Sequence, residues 1–111
     1  MATNRAAFDP VKLAAFGSVG ASYAAMGTEF YKNALMVVIS SSLDKDAYLS
    51  FNGTDDHLYV PAGSCFSIPF RANASFPNGL SLPAGTQAYQ KQGPGGASTS
   101  GAIAIGVIYE A

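Results

Sequence analysis

Short runs in which apolar and polar residues alternate occupy most of the chain from Gly17 onward. These runs are rich in β-branched and aromatic residues, and Gly, Pro, Asn or Asp separates them at intervals of about 8–12 residues. A period of two places successive side chains on opposite faces of an extended strand. The pattern therefore predicts an all-β domain, built as a sandwich or a barrel.

Three of these runs, at 34–39, 47–51 and 57–60, are expected to supply the core. The first is apolar on both faces, which predicts a central strand. The other two alternate, so each should bury one face only. Their predicted inward residues are Ala47, Leu49, Phe51, Leu58 and Val60.

Three later runs complete the predicted strands. Run 65–70 contains Pro69, which cannot donate to a ladder and so predicts an edge strand or a bulge; its predicted inward residues are Phe66, Ile68 and Phe70. Run 86–91 is polar enough to predict an exposed strand. Run 102–110 is uncharged until Glu110, with a flat Ala and Gly face that could pair with or pack closely against a partner. The opposite face of that run carries Ile103, Ile105, Val107 and Tyr109.

One short motif occurs twice, as LYVPAGS at 58–64 and as LSLPAGT at 80–86. The shared residues are Pro, Ala, Gly and a hydroxyl, which shape the backbone and carry no reactive group common to both copies. Proline ends ladder pairing and glycine permits a tight turn. We therefore expect two equivalent corners, at which the chain crosses between the two sheets.

The first 16 residues precede the recognisable strands, and the sequence divides into an N-terminal arm at 1–16 and a β-sandwich domain at 17–111. Asp9 and Pro10 form a typical helix-start pair, so a short helix is expected after Pro10. Such a helix is marginal by itself. The arm is thus expected to be an attachment element that becomes ordered on a partner.

Charged residues make up only 12% of the chain, about half the usual share. A surface with so few charges suits permanent contact with other proteins. The net charge is −1 and the six cations are scattered, which argues against nucleic-acid binding. No apolar run is long enough to span a membrane, and no secretory signal is recognisable. The single Cys65 excludes an intrachain disulfide and is expected to be a small buried thiol.

The chain is poor in groups that carry chemistry, and we expect neither an enzyme nor a bound metal or cofactor. His57 is the only histidine; it follows Asp55 and Asp56, but adjacent residues on an extended chain point in opposite directions. Asp44 and Asp46 lack the further oxygen ligands of a calcium loop. No nucleophile motif or phosphate-binding loop is present.

Aromatic and flat apolar positions are the remaining candidates for function. Tyrosine rings at outward strand positions can contact protein or sugar rings, while the apolar residues of the arm and the flat last strand can dock on protein. The candidate interface residues are Phe8, Leu13, Phe16, Phe30, Tyr31, Tyr48, Tyr59, Ala104 and Tyr109.

Residues 34–110 resemble small virion proteins of tailed bacteriophages. The resemblance lies in AYLSFNGTDDHLYVPAGSCFSIPF at 47–70, in the second turn LPAGT and in the uncharged closing strand. It is to head decoration, or cement, proteins, and in particular to the staple proteins of short-tailed phages of the epsilon15 type. It implies a jelly-roll-like sandwich without catalytic residues, made in the host cytoplasm. Such a protein would lie on the outer capsid surface and staple major capsid protein subunits, as a homo-oligomer (dimer or trimer).

Two other functions fit the same sequence. A carbohydrate-binding sandwich would also use exposed tyrosines, although the chain has no Trp and no convincing calcium cluster. A neck or tail accessory protein of a virion would share all the features of a shell protein. The number of copies per particle distinguishes a position on the shell from a position in the neck or tail.

Overall fold

The computed structural model describes residues 6–69 and 82–110, which form two four-stranded antiparallel sheets packed as a sandwich. The strands are β1 (Ala6–Ala15), β2 (Ala24–Ala25), β3 (Ala34–Ser41), β4 (Ala47–Ser50), β5 (Leu58–Val60), β6 (Cys65–Pro69), β7 (Tyr89–Gln92) and β8 (Ala102–Glu110), with a 3₁₀ turn at Phe16–Ser18. Sheet A has the order β1-β8-β3-β6 and sheet B the order β2-β7-β4-β5. The predicted all-β sandwich is confirmed.

The strands pair in a nested order. The first pairs with the last, β2 with β7, β3 with β6 and β4 with β5, and all four pairs are antiparallel. A long hairpin wrapped around a core produces this order, which is that of an eight-stranded jelly roll. Two further ladders, β3 with β8 and β4 with β7, join neighbouring hairpins into the two sheets.

The core lies between the inward faces of the two sheets. Strand β3 lies inside sheet A, as the run at 34–39 predicted, and β4 and β5 bury the side chains that alternation selected. Phe51, Leu58, Phe66 and Ile68 pack at the margin of the core. The fully buried members include Val37, Ile39, Leu49, Val60, Ile103 and Ile105. Phe70, predicted to share that inward face, lies outside the described residues.

Strand β8 is the centre of sheet A. It bonds to β1 on one edge and to β3 on the other, and its predicted inward face is confirmed, since Ile103, Ile105 and Val107 are buried. Of the two expectations for this strand, pairing and close packing on a partner, the described sheet shows pairing, with β1 and β3 of the same chain. Both of its edges are already used, so only its outward face is left for contact with another molecule.

The helix expected after Pro10 is wrong: residues 6–15 are strand β1, so this part of the predicted arm belongs to sheet A. The open edge of β8 offers a ladder of hydrogen bonds, whereas a two-turn helix would gain little. The register shifts between Asp9 and Lys12, so Pro10 lies in a bulge. Such an irregularity accommodates a residue that cannot donate.

Strand β1 is polar inward and apolar outward. Asp9 and Lys12 are 6% and 2% exposed, whereas Phe8, Val11 and Leu13 are the large exposed side chains of the strand. The buried pair is satisfied internally. Lys12 Nζ lies 3.5 Å from Asp9 Oδ2 and 3.5 Å from Thr28 Oγ1, and the Asp9 carboxylate also accepts the Tyr31 amide at 3.2 Å. An ion pair and backbone bonds therefore hold β1 where apolar side chains would be expected.

The two PAG turns have the same hydrogen bonds. In the first copy, the Ser64 amide and hydroxyl both donate to the Pro61 carbonyl, at 3.2 and 2.6 Å. In the second, the Thr86 amide and hydroxyl donate to Pro83 at 3.1 and 2.6 Å. The hydroxyl shared by both motifs thus closes each turn.

A second contact fixes each turn to the rest of the sandwich. The Ala62 amide donates to Asp46 Oδ1 and the Ala84 amide to Asn33 Oδ1, both at 2.8 Å. The first turn carries the chain from β5 in sheet B to β6 in sheet A, and the second leads into β7 in sheet B. The two turns are thus equivalent in their hydrogen bonds, and the first is a corner between the two sheets, while the segment that leads into the second lies outside the described residues.

Two expectations about polarity are wrong. Cys65 is exposed, because its partner in the ladder is Ser40 on the outward face while Phe66 pairs with Ile39 inside. Strand β7 lies inside sheet B and buries Gln90, although its sequence is polar. The prediction that Pro69 marks an edge strand is confirmed, since β6 is the last described strand of sheet A.

Removing one partner of the buried pair should cost much more stability than removing both. Lys12→Met leaves the Asp9 carboxylate buried without its cation, and we expect a loss of about 3–5 kcal/mol in the free energy of unfolding measured in urea. Adding Asp9→Leu should restore part of it. Lys45→Met, at an exposed lysine, should stay within about 0.5 kcal/mol of the wild type. Equal effects of Lys12→Met and Lys45→Met would contradict this assignment.

Three glycines should separate backbone strain from steric overlap. At Gly101 (φ 89°), an added Cβ would overlap the Ser42 carbonyl; at Gly63 (φ 68°) it would meet open space, and at Gly17 neither problem arises. Alanine should therefore be near neutral at Gly17, cost about 1–2 kcal/mol at Gly63 and cost about 3 kcal/mol or more at Gly101. Urea unfolding of the three variants tests this order, and a stable Gly101→Ala would overturn it.

Candidate functional site

The outward face of sheet A, here called the outer A face, is apolar and uncharged within the described residues. Ladder register and burial place four strands' outward side chains on it. They are Phe8, Val11 and Leu13 of β1; Ala104, Gly106 and Ile108 of β8; Met36, Val38 and Ser40 of β3; and Cys65, Ser67 and Pro69 of β6. Contiguous exposed apolar surface of this kind marks a contact surface.

The outer A face has a ridge beside a shallow strip. Phe8, 77% exposed, and Leu13 project from the edge strand β1. Their ladder partners on β8 are Ile108 and Ala104, and Gly106 lies between these two. The small residues in the middle of the sheet leave room for large side chains of another protein. The predicted interface residues Leu13 and Ala104 are thus direct neighbours on this face.

The outward face of sheet B has the opposite character. A cross-strand row, here called the tyrosine row, runs from Tyr59 on β5 through Tyr48 on β4 and Lys91 on β7 to Tyr23 beside β2. The Tyr48 and Tyr59 rings are 5.7 Å apart and tilted by 57°. Lys91 Nζ lies 4.7 Å from the Tyr23 ring centroid and 5.6 Å from that of Tyr48, distances suited to cation–π attraction.

A carboxylate holds each end of the tyrosine row. Tyr59 donates its hydroxyl to Asp46 Oδ2, and Tyr23 donates to Asp56 Oδ1, which also lies 3.1 Å from Lys91 Nζ. The hydrogen bond from Tyr59 lowers the pKa of Asp46, and the bond from Tyr23, followed by Lys91, lowers that of Asp56. Burial and the bond to Asp56 raise the pKa of Tyr23, and the bond to Asp46 raises that of Tyr59. At neutral pH the two carboxylates are charged and the hydroxyls keep their protons.

The segment at 55–57, which reads Asp-Asp-His, belongs to a turn that covers part of sheet B. Ser50 Oγ accepts the Gly53 amide at 3.0 Å, and a Cβ added at Gly53 would lie only 3.3 Å from the Tyr89 ring. His57 Nδ1 accepts the Phe51 amide at 3.0 Å, which occupies one ring nitrogen. The described residues contain no group of three or more potential metal-binding side chains, and no helix among them is long and apolar enough to cross a membrane.

The nine candidate interface residues are distributed over four places. Phe8, Leu13 and Ala104 lie on the outer A face, and Tyr48 and Tyr59 lie in the tyrosine row on the opposite side. The sequence therefore identified members of two separate surfaces without indicating that they are separate.

The remaining candidates lie at the ends of the sandwich or inside it. The rings of Tyr31 and Tyr109 pack edge to face, 5.7 Å apart, near the end of β8. At the other end of β8, the Phe16 amide donates a hydrogen bond to the carbonyl of Gly101, just before the strand begins. Phe30 is a wrong prediction, because it is only 2% exposed and packs edge to face on Phe51. It serves the core.

Sequence reasoning missed Val11, Tyr23 and Lys91. Val11 points outward because of the bulge in β1, which no periodic pattern reveals. Tyr23 lies before a two-residue strand too short to show alternation. Lys91 lies in a polar run, in which nothing in the sequence distinguishes buried Gln90 from its outward neighbour.

The carboxylates of the row should make stability depend on acid pH. Both have pKa values below the ordinary 3.8, so their contribution is complete above that value and is lost as the pH falls through the lowered folded values. We therefore expect the urea midpoint of unfolding to fall less steeply with decreasing pH in Tyr59→Phe than in the wild type. Tyr31→Phe, whose hydroxyl is outside the row, is the matched control. Identical acid limbs for wild type and Tyr59→Phe would contradict the assigned bond.

Comparisons with known proteins identify a fold and no family. No protein-family model matches the chain, and no curated protein sequence shows significant similarity to it. A solved structure of the Bacillus endospore appendages, described as disulfide-linked pili, is similar over 98% of this chain and 91% of that chain, with a TM-score of 0.50 and 10% identity. At that identity the similarity shows that the sandwich fold is shared.

Proposed function

We propose that the protein is a non-enzymatic virion structural protein that decorates the outer surface of a phage capsid and staples neighbouring major capsid protein subunits. The outer A face is the observation that carries this proposal. It is a largely apolar surface, with no charged residue among its described side chains, on a sandwich whose core is already complete without it. A surface of this kind is most simply explained by permanent contact with protein.

The chemistry of the face favours a stable contact. Phe8, Val11 and Leu13 are largely exposed, and full burial of such side chains is worth roughly 1.5–3 kcal/mol each. None of the described side chains on the face is charged, so covering these side chains does not require an ion among them to lose its hydration. The ridge on β1 and the strip at Ala104 also restrict the orientation in which a partner fits.

The outward faces of the two sheets differ in polarity, so the molecule has two distinguishable sides. The tyrosine row, with Asp46, Asp56 and Lys91, is charged and hydrogen-bonded on the side opposite the outer A face. In the proposed arrangement, the outer A face is turned toward protein and the row toward solvent. This orientation supports a place on the outside of a shell.

Stapling would stabilise a shell by adding contacts that exist only while two coat subunits stay together. Such a contact can be moderate for each copy, because interfaces of standard size span micromolar to picomolar affinities. Repetition at every symmetry-related position multiplies the effect. Self-association as a dimer or trimer would give one unit several identical surfaces with which to bridge subunits.

Two related arrangements remain alternatives. A neck or tail accessory protein would use the same apolar face but would be present in only a few copies per particle. The second alternative is that copies of the chain assemble with each other into a fibre, as the similarity to a pilus structure suggests. The outer A face would also serve as the contact surface in such a fibre. The carbohydrate-binding alternative concerns the opposite surface, the tyrosine row of sheet B.

Charge placed on the outer A face should impair incorporation into particles. Leu13→Asp and Ala104→Arg add an ion to a surface that must lose water on docking, which costs several kcal/mol. We expect at least about a tenfold lower copy number per particle, because about 1.4 kcal/mol already gives that factor. Quantitative mass spectrometry of purified particles, relative to the coat protein, is the measurement. Lys91→Ala, on the opposite sheet, should be incorporated normally.

The same measurement separates the alternatives. A wild-type copy number comparable to that of the coat protein supports shell decoration, whereas a few copies per particle favour the neck or tail. Filaments of the purified chain in electron micrographs would favour the fibre. Equal incorporation of Ala104→Arg, Leu13→Asp and wild type would show that the outer A face is not the docking surface.

A further inference from the structure

The tyrosine row combines an exposed aromatic surface with ionised acceptors whose geometry is already fixed. We propose that it is a binding site for a neutral saccharide, on the sheet face opposite the outer A face. The inference concerns a different surface from the capsid contact and does not depend on that contact. If both hold, the site faces solvent on the assembled particle.

The aromatic part of the site is provided by Tyr59 and Tyr48. Tyr59 is 49% exposed although its hydroxyl is bound to Asp46, so a large part of the side chain is open to solvent. The rings tilt by 57° and form a shallow angle on the sheet surface. The C–H face of a pyranose is apolar and can pack on such rings, while its hydroxyls point to the sides.

The polar part is provided by the two carboxylates at the ends of the row. A carboxylate has about four acceptor positions. Asp46 accepts the Ala62 amide on Oδ1 and the Tyr59 hydroxyl on Oδ2, and Asp56 accepts Tyr23 and Lys91 on Oδ1. Within the described residues, each carboxylate therefore keeps acceptor capacity for the hydroxyl donors of a sugar. The lowered pKa values keep both ionised at neutral pH.

Charge and size narrow the class of ligand. Asp46 and Asp56 outnumber Lys91 in the row, and beside it the charges of Asp55 and Lys45 offset each other, so the surface is net negative, which disfavours phosphorylated and acidic ligands. The row crosses four strands, about 14 Å at roughly 4.8 Å per strand, which fits an oligosaccharide better than one sugar ring. The hydrogen bonds and Lys91 hold the rings in place before binding, so little side-chain entropy is lost.

The test is a titration of the isotope-labelled full chain, followed by amide chemical shifts. The probes are methyl α-glucopyranoside, methyl β-galactopyranoside, methyl α-mannopyranoside and tri-N-acetylchitotriose. We expect at least one probe to shift amides of the tyrosine row, with a Kd of about 1–10 mM, since the site is shallow and contains no Trp. The trisaccharide should bind more tightly than the matching monosaccharides.

Variants identify the groups responsible. Tyr59→Ala removes the stacking ring and should weaken binding at least about tenfold, and Asp46→Asn should weaken it severalfold while preserving an acceptor for Tyr59. Tyr31→Ala removes a tyrosine outside the row that is more exposed than Tyr59 (66% against 49%), and it should leave the Kd unchanged. If Tyr59→Ala does not fold, the Kd of the double variant Asp46→Asn, Tyr59→Phe tests the proposal in its place.

Several results would overturn the proposal. The first is the absence of shifts for every probe up to its solubility limit. The second is a set of shifts located away from the row. The third is a Kd that Tyr59→Ala and Asp46→Asn leave unchanged. Failure of the capsid contact would be seen separately, in the copy number per particle, because Leu13→Asp and Ala104→Arg leave the tyrosine row intact.

Discussion

The ladder of β1, β8 and β3 is the constraint on which the rest of the structure depends. Strand β8 is hydrogen-bonded along both edges, and its alternate side chains close the core. Because β8 and its neighbour β1 are far apart in the sequence, sheet A depends on long-range pairing. The nested pairing of the other strands, and the two PAG corners that join the sheets, complete the same wrapped hairpin.

The distribution of a few charges gives the sandwich its two different sides. Polar groups are concentrated around sheet B, where carboxylates, tyrosines and Lys91 bond to each other. In sheet A the only charged residues of β1 with described side chains, Asp9 and Lys12, point inward and pair. That inversion leaves the outward positions of β1 apolar. One buried ion pair thereby permits an uncharged surface at the edge of the sheet.

Sequence patterns predicted the parts of the fold that depend on local chemistry. Alternation identified the inward faces of β4, β5 and β8, and the shared Pro, Gly and hydroxyl positions identified the two corners. The sequence patterns failed where pairing between distant segments determines the structure. A helix-start pair at Asp9 and Pro10 became a bulge because the edge of β8 was available, and the polar run of β7 was placed between two strands.

The candidate residues show the same limit. Leu13, Ala104, Tyr48 and Tyr59 were found because outward apolar or aromatic positions are visible in the period of a strand. Phe30 was misjudged because the residues that bury it, among them Phe51, lie far from it in sequence. The opposition of the outer A face and the tyrosine row could not be predicted either, since it depends on which strands share a sheet.

The pairing of the first strand with the last also determines when the outer A face exists. The other described strands lie between β1 and β8 in the sequence, so the ridge and the strip at Ala104 can be brought together only after those strands have been synthesised. Contacts between segments so far apart also form slowly, because a long loop must close first. The outer A face is therefore a product of long-range pairing, and neither of the two segments that build it carries the complete surface.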